Sequence, residues 1–179
     1  MSQIIHPTAV IHSMAQLSKD VSVGPYSVIG PNVKIGNNTV IHSHVVIDGY
    51  TEIGNDNQIH PFSVIGSNPQ HLKFSGEITE LFIGNNNIIR EHVTIHPGTE
   101  VGTKKTIIGN NGFFMVGCHV AHDCVVGDNV VFVNNAVIGG HVKISDFVYL
   151  GGHSAIHQFC RIGKHAIIGA GTTIDGDVI

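Results

Sequence analysis

Residues 21–41 read VSVGPYSVIGPNVKIGNNTVI, and an aliphatic residue stands at every sixth position of this stretch from Val23 onward. No helix repeats every six residues, because 3.6 residues per turn move such a position around the helix axis. The period instead indicates a hexapeptide repeat, in which each short strand and its turn form one unit of a parallel β-helix. An apolar residue keeps this period along most of the chain, with one slip of phase, at Ile5, Ile11, Leu17, Val23, Ile29, Ile35, Ile41, Ile47, Ile53, Ile59, Ile65, Ile83, Ile89, Ile95, Val101, Ile108, Phe114, Val120, Val126, Phe132, Ile138, Ile144, Leu150, Ile156, Ile162, Ile168 and Ile174.

A small residue stands two positions before most of these apolar residues. Alternate residues of a strand share a face, so both side chains are expected to point inward. Three units make a coil of about 18 residues, and stacked coils make a three-sided prism with a continuous core. The sequence therefore predicts an all-β fold, with one β-helix domain over residues 1–179. The small position is also where all three cysteines fall, which favours core packing over disulfide or catalytic use.

Composition excludes several function classes. Only 12% of the residues are charged, and the chain has 22 glycines and no tryptophan, which argues against a helical domain. The formal net charge of -4 argues against nucleic acid as a partner. The start, MSQIIHPTA, has no basic and apolar leader, and no segment approaches the roughly 20 apolar residues of a membrane span. We therefore expect a cytoplasmic protein without a membrane span.

Two segments interrupt the repeat, and interruptions are where functional loops are often inserted. The first is 66–82 (GSNPQHLKFSGEITELF) and the second is 102–107 (GTKKTI). Both are predicted to be loops extruded from the prism. Either is readily explained as a flexible surface excursion, but the polar run 68–73 (NPQHLK) suggests ligand contact.

Histidine is unusually frequent, with 14 residues against nine lysines and arginines together. Core residues that are 18 positions apart stack on successive coils, so the turns after Val120, Ile138 and Ile156 share one edge, about 4.8 Å apart. These turns bring together His122 with Asp123, Gly140 with His141, and His157 with Gln158, and His119 lies on the strand that enters the edge. The other polar histidines are expected to be solvated, namely His6, His12, His42, His44, His60, His92, His153 and His165.

This ridge of side chains is suited to acid–base chemistry. A histidine beside a carboxylate, such as His122 beside Asp123, is an oriented general base. Gly140, one coil away, presents an unobstructed backbone N–H for an oxyanion. No serine lies in the cluster and the cysteines face the core, which favours direct transfer to a bound acceptor over a covalent intermediate. A row of solvated polar turn residues is the alternative explanation.

Several strings in this part of the chain resemble one family closely: the UDP-N-acetylglucosamine O-acyltransferases, the first enzymes of lipid A biosynthesis. The resemblance runs from the string HPTA at 6–9 to the last coil. Hexapeptide repeats alone are weak evidence, because many acyltransferases share them. The specific strings are HVAHDC at 119–124, GGH at 139–141, AIHQFCRIG at 155–163, TIH at 94–96 and QHLKFSGE at 70–77.

The resemblance implies a left-handed β-helix and a homotrimer with each active cleft between neighbouring subunits. It implies transfer of an (R)-3-hydroxyacyl group from acyl carrier protein to the 3-hydroxyl of UDP-N-acetylglucosamine, without metal or organic cofactor. In that reaction His122 would take the hydroxyl proton, Asp123 would hold its imidazole, and the Gly140 N–H would stabilise the oxyanion. The residues that would line the substrate sites are His71, Lys73, His96, His119, His141, His157 and Gln158.

The chain also departs from the family pattern. His71 stands where an acidic residue is often found, and Pro97 where a basic residue is common. Ala170 occupies a position associated with the end of the acyl groove, where a larger side chain would favour a shorter acyl chain. The family's C-terminal helical domain, which contributes nucleotide and carrier-protein contacts, is expected to be absent from this chain, which stops at Ile179 in mid-repeat.

An acidic carrier protein would need a local basic surface on a net-negative enzyme. Lys143 and Arg161 are 18 residues apart and are expected to stack on one outward face, with Lys164 nearby. We hypothesise that they receive the carrier protein. Scattered solubilising charge explains them equally well.

Three other functions remain open at this point. The related UDP-3-O-acylglucosamine N-acyltransferase shares the prism and a histidine base, but its acceptor is an amine. A trimeric zinc carbonic anhydrase of this fold uses three histidines, for which His119, His122 and His141 are the candidates. The adjacent aspartate and the IHQFC string fit acyl transfer better. An inactive β-helix that serves only as a binding module is the third.

Overall fold

The computed structural model describes residues 4–179, which build a three-sided parallel β-helix with one sheet on each side. Sheet A contains β1 Ile4–Ile5, β4 Ser22–Val23, β7 Val40–Ile41, β10 Gln58–Ile59, β13 Ile88–Ile89, β16 Phe113–Phe114, β19 Val131–Phe132, β22 Tyr149–Leu150 and β25 Ile167–Ile168. Sheet B contains β2 Val10–Ile11, β5 Val28–Ile29, β8 Val46–Ile47, β11 Val64–Ile65, β14 Thr94–Ile95, β17 His119–Val120, β20 Val137–Ile138, β23 Ala155–Ile156 and β26 Thr173–Ile174. Sheet C contains β3 Gln16–Leu17, β6 Lys34–Ile35, β9 Tyr50–Ile53, β12 Glu80–Ile83, β15 Lys105–Ile108, β18 Val125–Val126, β21 Lys143–Ile144 and β24 Arg161–Ile162.

Every strand pairs in parallel with the strand one coil away, so equivalent residues of successive repeats form columns. Ile59, for example, lies opposite both Ile41 and Ile89. The apolar and the small inward positions are both buried in the central coils, where Val21 and Ile59 are each 0% exposed. All three cysteines are free and buried among these columns, as the sequence predicts.

Tight turns form the three edges of the prism, and the third residue of most turns has a left-handed backbone conformation. Asn38, Asn86 and Asn129 have φ values of 56°, 57° and 56°. Asparagine, aspartate and histidine tolerate this region better than other non-glycine residues. The B–C edge, where turns lead from sheet B to sheet C, carries the candidate site. The A–B and C–A edges are named in the same way.

The structure corrects two details of the repeat. Val101 is not a core residue: 62% of it is exposed, within an irregular segment that follows Ile95. The irregular segments are 66–79 and 96–104. The first loop therefore ends earlier than the predicted 66–82, and the second begins and ends earlier than the predicted 102–107. The reason is that β12 and β15 are four residues long and pair with each other, from Glu80 opposite Lys105 to Ile83 opposite Ile108.

The exposed faces of the turns are also ordered into columns. On the A–B edge, Tyr26, His44, Phe62 and His92 form a continuous ring stack with centroids 5.1–5.2 Å apart. His42 and His60 stack beside them and are half-buried, so these two are not simply solvated. No helix among residues 4–179 has the length and apolarity that a membrane crossing requires.

Candidate active site

The B–C edge collects five consecutive connections around one region. Val120, Ile138 and Ile156 lie in one column of sheet B, so the turns that follow them stack, as the 18-residue spacing predicts. The two loops leave the same edge in the two preceding coils, because 66–79 follows β11 and 96–104 follows β14. The insertions therefore face the turn that carries His122.

His122 and Asp123 form a buried pair. His122 Nδ1 lies 2.8 Å from Asp123 Oδ2, and the two residues are 6% and 3% exposed. A carboxylate accepts hydrogen bonds, so Nδ1 is the protonated nitrogen and Nε2 is left as the basic atom. Asp123 has a φ of 60°, the left-handed conformation that the third residue of most of these turns adopts. This is the geometry of an oriented general base.

The 96–104 loop surrounds the Asp123 carboxylate with donors. The Thr99 N–H lies 3.1 Å from both oxygens, the Thr99 hydroxyl lies 2.7 Å from Oδ2, and the Thr103 N–H lies 2.7 Å from Oδ1. Burial alone would raise the pKa of Asp123, but the hydrogen bonds from Thr99, His122 and Thr103 hold it below the ordinary value. Thr99 and Thr103 are not found by the sequence reasoning, which does not fix the path of an inserted loop.

Gly140 lies directly against the ring of His122. A Cβ added at Gly140 would lie 2.7 Å from His122 Nε2 and 3.0 Å from Nδ1, so any side chain here would displace the imidazole. Among residues 4–179, no acceptor takes a hydrogen bond from the Gly140 N–H. The backbone is thus both close to the base and able to donate to a ligand.

An open cleft of about 400 Å³ lies beside this pair. Six of the predicted site residues line it, namely His96, His119, His122, Gly140, His157 and Gln158. The apolar part of its wall comes from sheet B, through residues such as Val137, Ile138 and Ala155. Gln70 and Thr173 also line it, and the sequence reasoning does not assign them. Gln70 belongs to the polar run 68–73 that suggested ligand contact.

The deeper imidazoles of the cleft are held in the neutral form. Burial, followed by the neighbouring His119 and His122, lowers the pKa of His96 to about 4. The Gln70 N–H lies 3.4 Å from His96 Nδ1, a long hydrogen bond that ties the 66–79 loop to the cleft. Burial and His122 likewise lower the pKa of His119, whose Nδ1 lies 2.7 Å from the Thr94 hydroxyl. Neutral rings at this depth present one donor or acceptor to a polar ligand.

His71 and His141 contact the pair from its other sides. The rings of His71 and His122 meet edge to face at 4.9 Å, and those of His141 and His122 at 5.2 Å. His141 also stacks on the exposed ring of Phe159 at 4.5 Å. Burial lowers the pKa of His141, Asp123 opposes that change, and His122 and His71 reinforce it.

Lys73 and Ala170 are not brought to the cleft within one chain. Lys73 is exposed, and its backbone N–H donates a 3.3 Å hydrogen bond to His71 Nδ1. Ala170 is exposed on the A–B edge, in the turn between β25 and β26, and not on the edge that carries His122.

The hypothesised basic patch of Lys143, Arg161 and Lys164 carries less free positive charge than three cations would. Lys143 and Arg161 do lie opposite each other in sheet C. Arg161, however, pairs with Asp177, with Nε 2.8 Å from Oδ2. Lys164 lies 3.5 Å from Asp146 Oδ2 and over the ring of Phe147. Two of the three cations are therefore partly neutralised by neighbours in the same chain.

Metal binding is another chemical role to consider for the cluster of His122, Asp123 and His141. Potential ligand atoms of His122, Asp123 and His141 lie within 4.8 Å of one another, whereas the sequence-based zinc candidate included His119. Both Asp123 oxygens already accept hydrogen bonds from Thr99, and His122 Nδ1 is directed at Asp123. The carboxylate is thus already satisfied by donors of the protein and orients the histidine, so the donor set fits a proton relay better.

Comparison with known proteins shows the family to which the chain is related. The model of the bacterial transferase hexapeptide family (six repeats) matches residues 14–49 and 141–176. The acyl-[acyl-carrier-protein]–UDP-N-acetylglucosamine O-acyltransferase of Thermodesulfovibrio yellowstonii is 49% identical over 132 residues, which are 74% of this chain and 51% of that protein. The Neisseria gonorrhoeae enzyme of the same name is 49% identical over 133 residues, 74% of this chain and 52% of that protein. The chain thus spans about half the length of these curated relatives.

Solved structures cover more of the chain. LpxA of Acinetobacter baumannii superposes with a TM-score of 0.97 at 49% identity, over 98% of this chain and 68% of that one. The UDP-N-acetylglucosamine O-acyltransferase (LpxA) of Moraxella catarrhalis gives a TM-score of 0.96 at 47% identity, over 97% and 67%. These matches confirm the left-handed parallel β-helix. At such identity over two thirds of a solved member, the chain belongs to the UDP-N-acetylglucosamine O-acyltransferase family.

Proposed function

We propose that this chain carries the active site of an acyltransferase of lipid A biosynthesis. It would transfer an (R)-3-hydroxyacyl group from acyl carrier protein to the 3-hydroxyl of UDP-N-acetylglucosamine. The observation that carries the proposal is the buried His122–Asp123 pair, 2.8 Å apart, with His122 in the wall of an open cleft. Family membership supplies the reaction class, and the pair supplies a base that suits a hydroxyl acceptor.

The chemistry follows from the protonation of the pair. His122 Nε2 takes the proton of the sugar 3-hydroxyl while the oxygen attacks the carbonyl carbon of the acyl thioester. The imidazolium is stabilised by Asp123, which stays ionised because several donors lower its pKa. The carrier thiolate then leaves and receives the proton from His122. The products are the 3-O-acylated sugar nucleotide and the free thiol of the carrier, and no bond to the enzyme forms.

The other residues of the cleft bind the sugar nucleotide and polarise the acyl thioester. The Gly140 N–H donates to the oxyanion that forms on the thioester oxygen, where a fixed donor lowers the barrier most. His96, His119, His157 and Gln158 offer polar contacts to the sugar nucleotide, and His71 and His141 act from beside the His122–Asp123 pair. Lys73 would contribute only to a cleft that is completed by a neighbouring subunit. This mechanism calls for no metal or organic cofactor. With these substrates the protein would act in the cytoplasm, as a homotrimer with each cleft completed by a neighbouring subunit.

Acyl transfer by the purified protein tests the proposal. It is incubated with UDP-N-acetylglucosamine and a series of (R)-3-hydroxyacyl carrier proteins, beside His122→Ala and His12→Ala. His12 is an exposed histidine on the same B–C edge, several coils from the cleft, so its variant is the matched control. We expect turnover by the wild type and by His12→Ala, and a loss of at least about 100-fold in His122→Ala. Equal turnover by both variants would remove His122 as the base.

Two added measurements separate the other functions. Acylation of UDP-3-O-acylglucosamine but not of UDP-N-acetylglucosamine would identify an amine acceptor. Stoichiometric zinc in active protein, with activity lost on chelation, would favour the carbonic anhydrase alternative. Tight binding of the sugar nucleotide without turnover by any substrate would leave a binding module.

A further inference from the structure

The inserted loop 96–104 holds the Asp123 carboxylate through its residues Thr99 and Thr103. Thr99 is 0% exposed, and its hydroxyl and N–H both point at Asp123. The Thr99 carbonyl in turn accepts hydrogen bonds of 3.1 Å from the N–H groups of Gly102 and Lys104. This closed turn fixes the direction of the Thr99 and Thr103 donors.

The shape of the loop is also matched to the carboxylate. A Cβ added at Gly102 would lie 2.5 Å from Asp123 Oδ1, so the backbone passes the carboxylate at a distance that leaves no room for a side chain. The Thr103 N–H donates to Oδ1 over 2.7 Å. The Thr103 hydroxyl has one proton to share between Oδ1 at 3.1 Å and the Lys105 carbonyl at 2.9 Å. The Thr103 hydroxyl is therefore a weaker donor to the Asp123 carboxylate than the Thr99 hydroxyl.

We propose that residues 99–103 form a cradle that fixes the Asp123 carboxylate, with the Thr99 hydroxyl as a positioning residue for the His122 base. The inference rests on the proposed acyl transfer for its kinetic consequence only. His122 contributes one of the hydrogen bonds to the Asp123 carboxylate, and the loop supplies all the others that the structure describes. His141 Nε2 lies farther away, 3.9 Å from Oδ2. Without the Thr99 hydroxyl, Oδ2 loses its shortest hydrogen bond, of 2.7 Å, so the carboxylate and the His122 ring that it orients are held less tightly.

The side chain can be altered without moving the backbone. Thr99→Val removes the hydroxyl and keeps the shape and the N–H, and Thr99→Ser keeps the hydroxyl. Thr106→Val is the matched control, because Thr106 lies on β15 directly after the loop, is buried, and has a hydroxyl with no hydrogen-bond partner among residues 4–179. Thermal unfolding of each variant checks that the fold is kept.

The kinetic test separates positioning from binding. In Thr99→Val we expect kcat to fall about 10-fold with KM nearly unchanged, and in Thr99→Ser and Thr106→Val to stay within about 2-fold. The acidic limb of the kcat profile, where the base takes up a proton, should move to higher pH, because a carboxylate that has lost a donor is more basic and stabilises the protonated His122 more strongly. The other titratable groups around the pair, His71, His96, His119 and His141, are the same in every variant.

A second readout does not depend on activity. The His122 Nδ1–H, identified by its loss in His122→Gln, should give a downfield proton resonance protected from water exchange in the wild type and in Thr106→Val. In Thr99→Val it should exchange faster. Equal exchange in all three proteins would overturn the cradle, as would an unchanged kcat in Thr99→Val. If the wild type transfers no acyl group, the proposed function fails, and the resonance still decides the role of Thr99.

Discussion

At the scale of single residues, the orientation of the proposed base His122 depends on Gly140, which belongs to the next coil. Gly140 is predicted to be irreplaceable, because a Cβ would lie 2.7 Å from His122 Nε2 and force the ring away from Asp123. In Gly140→Ala we expect kcat to fall about 100-fold, as a displacement of about 1 Å does for oriented groups.

Gly152→Ala is the control for that experiment. Gly152 holds the same place in a turn of the A–B edge, and its nearest new contacts would be ordinary ones, at 3.4 and 3.5 Å. Steady-state kinetics of the two variants, with circular dichroism to confirm folding, makes the comparison. Equal activity would show that the backbone at Gly140 tolerates a side chain and that the ring has room to move.

The neutral His96 gives a second prediction at this scale, for stability against pH. Its pKa is about 4 in the folded protein against an ordinary value of 6.5, so above pH 6.5 both states are neutral and nothing changes. As the pH falls from 6.5 toward 4, the unfolded chain binds a proton that the folded protein refuses, and stability is lost. At pH 5 this loss amounts to about 2 kcal/mol.

Chemical denaturation at pH 7 and pH 5 measures this effect. His96→Asn keeps an acceptor for the Gln70 N–H and removes the titration, so it should lose about 2 kcal/mol less than the wild type between the two pH values. His12→Asn, at an exposed position, should behave like the wild type. A wild-type pH dependence retained in His96→Asn would assign the effect to His119 or His141 instead.

At the scale of elements, asparagine side chains hold successive turns of the C–A edge together. Asn87 is fully buried: its Nδ2 donates to the Gly109 carbonyl over 3.0 Å, and its Oδ1 accepts from the Gly112 N–H over 2.7 Å. Asn87→Ala leaves buried backbone groups unpaired, so the free energy of unfolding should fall by about 2–4 kcal/mol. Gln58→Ala, at an exposed strand position, should change it by less than about 0.5 kcal/mol. Urea titration compares the two, and similar values would mean that water satisfies the groups that Asn87 leaves.

The same scale shows what the sequence could and could not reveal. The apolar period fixes which residues stack, so the neighbourhood of His122, Gly140 and Gln158 follows from counting 18 positions along the chain. Counting fails inside the insertions, because no strand register constrains their path. The prediction that Val101 is a core residue is wrong for this reason. Thr99 is not predicted as a site residue, although its loop starts from the edge that carries His122.

At the scale of the whole molecule, the three edges of the prism carry different surfaces. The B–C edge carries the cleft, and Ala170 lies on the A–B edge, where the turns near it are rich in glycine. Within one chain, the width of sheet B separates Ala170 from the turn that carries His122. We expect Ala170 to limit acyl length at the cleft of a neighbouring subunit, which joins the proposed trimer to the proposed specificity.

Mixed trimers test that connection directly. Ala170→Met should shift the preferred acyl group to a shorter chain, because a larger side chain ends the groove earlier. The doubly substituted chain, His122→Ala with Ala170→Met, is produced in excess together with tagged wild type, and the mixed oligomers are purified by the tag. Only wild-type chains retain a base, so their products report which residue 170 borders each working cleft.

We expect these products to become shorter, as in Ala170→Met itself, since most wild-type clefts then face a substituted neighbour. Co-production with His122→Ala alone is the control and should leave chain length unchanged. Products of wild-type length from both mixtures would mean that Ala170 acts within its own chain or has no part in setting length, and the placement of the cleft between subunits would lose this support.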